Sequence, residues 1–170
     1  SPVELIKSII KRSEKINPKI NAHNFTFYEK AIECAKKSEQ KYLTNSSTLP
    51  LEGIPIAIKD LEDTKDIRTT YGSKIFEQNI PKKDGKIAKR IRSSGAILIG
   101  KTNTPEFGVG SHTFNSIFGS TRNPYDKKLS AGGSSGGAAS AIAANFIPIA
   151  DGSDMMGSLR NPAAFNNIYG

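Results

Sequence analysis

AGGSSGGAASAIAANFIPIADGSDMMGSLRNP, residues 131–162, carries two serine-bearing glycine clusters, GGSSGG at 132–137 and MMGS at 155–158. Glycine at this density marks backbone that takes positive φ or passes very close to a neighbouring group. Between the clusters the composition shifts twice. Ser134 and Ser135 are good N-caps, the five alanines of residues 136–144 are strong helix formers, and Asn145 suits a helix stop. The pattern predicts a thin helix that packs tightly. Residues 146–150 then read as a short buried strand, and residues 151–157 as a turn whose N–H groups converge on one small space, a nest for an anion or oxyanion. Glycine-serine stretches also serve as linkers. An alanine helix and an apolar strand inside the stretch argue for two walls of one cavity instead.

Upstream, Ser1-Pro2-Val3-Glu4 is a helix start, with serine as cap and proline at the first helical position. Leu5, Ile6, Ile9, Ile10 and Ile16 recur at helical spacing, and Asn17-Pro18 reads as the end of that helix. A second helix is expected over about residues 26–42, with Ala31, Ile32 and Ala35 inward. Residues 53–60, GIPIAIKD, form a short apolar strand that runs straight into Lys59 and Asp60. Burial there would disfavour the charged form of Lys59, lower its pKa and make it a general base; a strand-end lysine can also reach solvent. Residues 84–94 read as a helix and 96–100 as a buried strand, so strand, helix and strand give an α/β rhythm. Residues 95–102, GAILIGKT, match the phosphate-loop pattern by letter. Ala-Ile-Leu-Ile is strand material, however, and Pro105 falls where the following helix would run. Asn103 to Phe107 reads as a short helix capped by Thr104, and residues 114–126 as a loop lining a pocket.

A chain of 170 residues with 36% apolar content supports a core of its own, and no apolar run is long enough to span a bilayer. One cysteine, Cys34, excludes an intrachain disulfide, and with only His23 and His112 beside it a zinc cluster is not expected. A reducing, cytoplasmic setting is the expectation. The net charge of +8 rests on 18 lysines against 6 arginines, which reads as a solvated lysine surface more than as a nucleic-acid footprint.

Taken together, GIPIAIKD at 53–60, GKTNTPEF at 100–107, NPYD at 123–126, AGGSSGGAA at 131–139 and GSDMMGSLRNPAAF at 152–165 resemble the amidase signature family of Ser-cisSer-Lys hydrolases. The resemblance is weak before Leu51 and strong after it. It implies a mixed β-sheet flanked by helices, in which Ser158 is the nucleophile, Ser134 the bridging serine after a cis Gly133–Ser134 peptide, and Lys59 the base. The N–H groups of Met155, Met156, Gly157 and Ser158 would hold the oxyanion. Ser135 would orient the network, and Asp154 and Arg160 would brace the turn as an ion pair, unless they are ordinary surface charges. The implied activity is hydrolysis of a small-molecule amide to acid and amine or ammonia, without cofactor, metal, nucleic acid or membrane.

Met155-Met156 stand where many members have a small residue and a glycine. The family also runs considerably further, so residues 1–170 are expected to be a single partial domain: N-terminal helices over 1–45, a catalytic portion over 51–170, little or no turnover alone, and a homodimer possible in the whole protein. Within the family, the alternative is the amidase subunit of a tRNA-dependent amidotransferase, which would meet nucleic acid through its assembly. Outside it stand an α/β-hydrolase, since 132–136 also fit G-x-S-x-G although both histidines precede Ser134, and a nucleotide-binding module resting on 95–102.

Overall fold

The computed structural model describes all 170 residues. Helix α1, Pro2–Ile20, opens on a complete capping box: Ser1 Oγ accepts from Glu4 N–H while Glu4 reaches back to the Ser1 amine. It does not end at Asn17-Pro18. Pro18 lies inside the last turn, and Asn21, in the left-handed conformation, closes the helix by donating its N–H to Asn17 O. The Asn17 side chain accepts from the N–H groups of Ala22 and His23, which turns the chain at once into strand β1, His23–Thr26. That strand displaces the start of the second helix, α2, to Tyr28–Leu43. Ala31 and Ala35 are buried in it and Ile32 is half-buried.

Strand β2, Pro55–Lys59, is buried at every position, as expected for a central strand covered on both faces. Helix α3, Lys86–Ser93, is shorter than the sequence pattern, because Asp84 turns its carboxylate to Lys65 N–H and Arg92 while Glu62 accepts from Ile87 and Ala88 at the helix start. Strand β3, Ile97–Thr102, includes Gly100, Lys101 and Thr102 and pairs parallel to β2 and antiparallel to β1. The stretch that spells a phosphate loop is therefore sheet. Asn103 to Phe107 is likewise not a capped α-helix: a single 3₁₀ turn spans Glu106–Gly108 from Pro105, and Phe107 is at φ 52°.

The expected pocket loop contains a small hairpin, β4 at Phe114–Asn115 and β5 at Gly119–Ser120. Helix α4, Gly136–Ala143, follows, with Asn145 at φ 58° just beyond it. Strand β6 is only Ile149–Ala150, parallel to β2, because Phe146 and Ile147 turn into the core before pairing begins. A last helix, α5, covers Arg160–Phe165.

The main sheet runs β1-β3-β2-β6, mixed and flanked by helices. One hydrophobic cluster unites Ile6 and Ile9 of α1, Ala31 and Ala35 of α2, Ile97 and Ile99 of β3, Ala141 of α4, and Phe146. Helix α4 lies close enough to the sheet that a β-carbon on Gly137 would come within 2.3 Å of Asn103 N and 2.5 Å of Asn103 O. Only glycine admits that approach. No helix is long and apolar enough to cross a membrane.

Candidate active site

Lys59 is the last residue of β2, and its backbone N–H donates to the Asp151 carboxylate, which ties the strand end to the turn after β6. Its side chain is 1% exposed, and Nζ donates to Ser134 Oγ at 2.7 Å, Ser135 Oγ at 2.8 Å and Ser153 Oγ at 3.0 Å. Three hydroxyl oxygens satisfy the three donors of an ammonium. Burial pulls the Lys59 pKa down to about 8, against a smaller upward pull from Asp151 and Asp154. Strand-end placement leaves this lysine inside, not in solvent.

The peptide between Gly133 and Ser134 is cis. Ser134 and Ser135 are both buried. Ser135 stands at the N-cap position of α4, yet its hydroxyl makes no capping bond. It receives Lys59 Nζ and the N–H of Ser153, and can donate to Ser153 O at 3.3 Å, while Thr113 Oγ1 takes over the first N–H of the helix, that of Gly136. The capping expected of Ser134 and Ser135 is therefore supplied from another loop, which frees both hydroxyls to face the lysine.

Ser158 is half-buried and joins the group through its backbone, its carbonyl accepting from Ser135 N–H at 3.0 Å. Its hydroxyl is not hydrogen-bonded to that of Ser134. The turn before it is organised by Asp154. One carboxylate oxygen accepts from Gly157 N–H at 2.7 Å, the other from Leu159 and Arg160 N–H at 3.1 Å each, and the Arg160 guanidinium grips both. This fork holds Asp154 far below the usual carboxylate range. Asp154 and Arg160 thus form the ion pair that braces the turn. Gly157, at φ 100°, sits in backbone that favours glycine. Its N–H is taken by Asp154, so of the four N–H groups expected to face an oxyanion, those of Met155, Met156 and Ser158 remain unpaired.

Sequence reasoning missed Ser153 and Asp151, both inside a stretch it had already read as a turn. Polar residues there carry no periodicity, so only the fold shows which of them turn inward. It also missed a second buried lysine. Lys101, from the false phosphate loop, is fully buried and donates to Glu62 O, Thr64 Oγ1 and Thr69 Oγ1, with its pKa pulled to about 8 by burial. Asp60 is equally buried and is bound by Thr70 and Asn24. No group of three or more His, Cys, Asp or Glu side chains is placed to hold a metal ion.

The chain that carries this buried lysine, cis peptide and carboxylate-gathered turn is similar in sequence and fold to known proteins. The profile of the family described as Amidase matches residues 4–170. A glutamyl-tRNA(Gln) amidotransferase subunit of Sulfurihydrogenibium sp. (strain YO3AOP1) is 45% identical over 99% of this chain and 35% of its own length. Among solved structures, a bacterial aryl acylamidase of the amidase signature enzymes superposes with a TM-score of 0.91 at 33% identity, over 96% of this chain and 34% of that one. The 6-aminohexanoate cyclic dimer hydrolase complexed with substrate gives a TM-score of 0.84 at 35% identity, over 96% of this chain and 33% of that one. The chain thus spans about a third of the length of the relatives it matches. By sequence and by fold, it belongs to the amidase signature family.

Proposed function

We propose that the protein hydrolyses a carboxylic amide through an acyl-enzyme on Ser158, with Lys59 as base and Ser134 as the relay between them. The observation that carries this reading is the placement of Lys59 Nζ, buried and within 2.7 Å of Ser134 Oγ. A serine hydroxyl is a weak nucleophile unless a neighbouring base takes its proton. Once Lys59 is neutral, its lone pair needs a donor, and Ser134, its nearest partner, supplies one. Ser134 then takes the proton of Ser158 as Ser158 Oγ attacks the carbonyl carbon. The unpaired N–H groups of Met155, Met156 and Ser158 would stabilise the oxyanion, with Gly157 N–H serving to hold the turn. As the C–N bond breaks, the proton returns from Lys59 through Ser134 to the leaving nitrogen. Water attacks the ester by the same relay and releases the acid. Hydrogen bonds of this kind tighten only with substrate bound, so the open Ser158–Ser134 contact is compatible with the relay.

The test is labelling of the protein with a fluorophosphonate and location of the adduct by mass spectrometry. An adduct on Ser158, slowed at least 100-fold in Lys59→Ala, is the expected outcome. An adduct on Ser134, or none, would sink the reading.

The similarity to a glutamyl-tRNA(Gln) amidotransferase subunit supports a second reading, in which the same serine releases ammonia from glutamine or asparagine for a partner protein. Copurification with such a partner, and amidase activity on glutamine that depends on it, would decide for that reading.

A further inference from the structure

The last paired residues of β2 and β6 are Ala57 and Ala150. In a parallel ladder the following residue, Asp151, would donate its N–H to Ala57 O and accept from Lys59 N–H with its own carbonyl. Only half of that pattern is present. Asp151 N–H reaches Ala57 O at 3.3 Å, but Lys59 N–H goes to the Asp151 carboxylate. The side chain thus stands in for its carbonyl, and the sheet bond closes without holding the main chain in the sheet. The chain turns at once, and the turn brings Ser153 Oγ to within 3.0 Å of Lys59 Nζ and Ser153 N–H to within 3.3 Å of Ser135 Oγ. An asparagine could accept the same bond, whereas an aspartate adds a negative charge to it.

That charge lies beside a buried cation. Asp151 is the carboxylate that acts most on Lys59, with Asp154 second. Asp154 is already engaged, since the Arg160 guanidinium grips it through two bonds of 2.9 Å. Asp151 has no arginine upon it, and its hydrogen bond is the one from Lys59 N–H. The segment that carries Ser134 and Ser135 offers Lys59 only hydroxyls. On the neighbouring strand β3, Lys101 is the other cation that Asp151 faces, and Asp60, Glu62 and Asp63 act on Lys101. Burial raises the Asp151 carboxyl above its ordinary value, while the Lys59 N–H and the two lysines draw it back. Carboxylate and ammonium therefore favour each other's charged forms.

We propose that Asp151 is a positioning residue of the reaction: its carboxylate closes the end of β2, so that the turn can bring Ser153 inward, and serves as counter-ion to the Lys59 ammonium, setting the pH at which the base becomes available. This rests on the reading of Lys59 as base and Ser158 as nucleophile, and two readouts keep the claims apart. In the whole protein, the pH profile of Ser158 labelling by a fluorophosphonate is compared with the titration of Lys59 itself, followed by NMR of ε-carbon-labelled lysine and assigned by its loss in Lys59→Met. Asp151→Asn keeps an oxygen for Lys59 N–H and removes the charge. The Lys59 titration and the rising limb of labelling should both move to lower pH, by about one pH unit, so that labelling on the limb rises several-fold while the plateau changes little. Asp151→Glu keeps the charge on a longer side chain; it should lower the plateau and leave the limb nearer to wild type than Asp151→Asn does. A merely structural role would lower the plateau in both variants and move the limb in neither. If the Lys59 titration stays put or moves up in Asp151→Asn, the counter-ion is overturned whatever happens at Ser158. If the titration moves down but Ser158 is never labelled, the counter-ion stands and the acyl-enzyme reading falls. If the titration moves and the labelling limb does not, Lys59 as base and the control of reaction pH by Asp151 fall together.

Discussion

At the scale of single residues, the proposed mechanism rests on Lys59. Burial lowers its pKa to about 8, so the neutral form required of a base is in the minority below that pH and dominant above it. Labelling or turnover should therefore rise with pH and level off above about 8. Ser153 adds a finer prediction. Its oxygen accepts from Nζ and so favours the ammonium; Ser153→Ala removes one acceptor and should move the rising limb to lower pH, readable in the pH profile of Ser158 labelling. A limb that stays put, or moves up, would mean that Ser153 does not act on the lysine. Lys59, Ser134, Ser135 and Ser158, which the structure places together, were legible as candidates because each sits in a motif with its own signature. Ser153 could not, since a serine in a turn looks the same whether it faces solvent or an ammonium.

Elements bring these residues together, and α4 is the one with least freedom. A β-carbon on Gly137 would meet the backbone N and O of Asn103, which cannot swing aside as a side chain can. Gly137→Ala should destabilise the protein by about 3 kcal/mol or more, as overpacked cores do, measured as a lowered urea midpoint. Retention of wild-type stability would show that α4 can shift on the sheet. The alanine helix, β2 and β3 were legible from propensity and apolar runs. Strand β1 was not: four residues, His-Asn-Phe-Thr, carry too little pattern, and only the antiparallel edge offered by β3 makes them a strand. His23 in that strand is buried, has neither ring nitrogen paired, and is pulled down to about pKa 4 by burial alone. Its neutral form is the one that fits, so its contribution is present above pH 6.5 and is lost as pH falls toward 4. His23→Leu should make stability less sensitive to acid over that window, measured by chemical unfolding at about pH 4.5 and about pH 7; an unchanged difference would place the acid sensitivity elsewhere.

Across the whole molecule, two fully buried lysines sit on successive strands, Lys59 of β2 and Lys101 of β3. Both are pulled to about 8 from an ordinary value of 10.5, so between those values the unfolded chain binds more protons than the folded one. Stability should rise with pH from about 8 toward 10, by at most about 1.4 kcal/mol per pH unit per lysine. Above about pH 10, Tyr71, raised to about 12 by burial and Asp63, works in the opposite sense. Lys101→Met should reduce the slope between about pH 8 and 10 in urea titrations; a slope that does not change would show that Lys101 is not desolvated. What the sequence determined by itself was the α/β character and the family, together with the candidate residues on which the proposed chemistry rests, because propensity, glycine spacing and strand-end placement are local and survive in a linear string. The tertiary structure alone decided which hydroxyls meet Lys59, that Thr113 rather than a serine caps α4, and that Gly157 N–H serves Asp154. Those outcomes depend on distances between residues far apart in the chain, and a hydrogen bond goes to whichever partner the packed fold brings within reach.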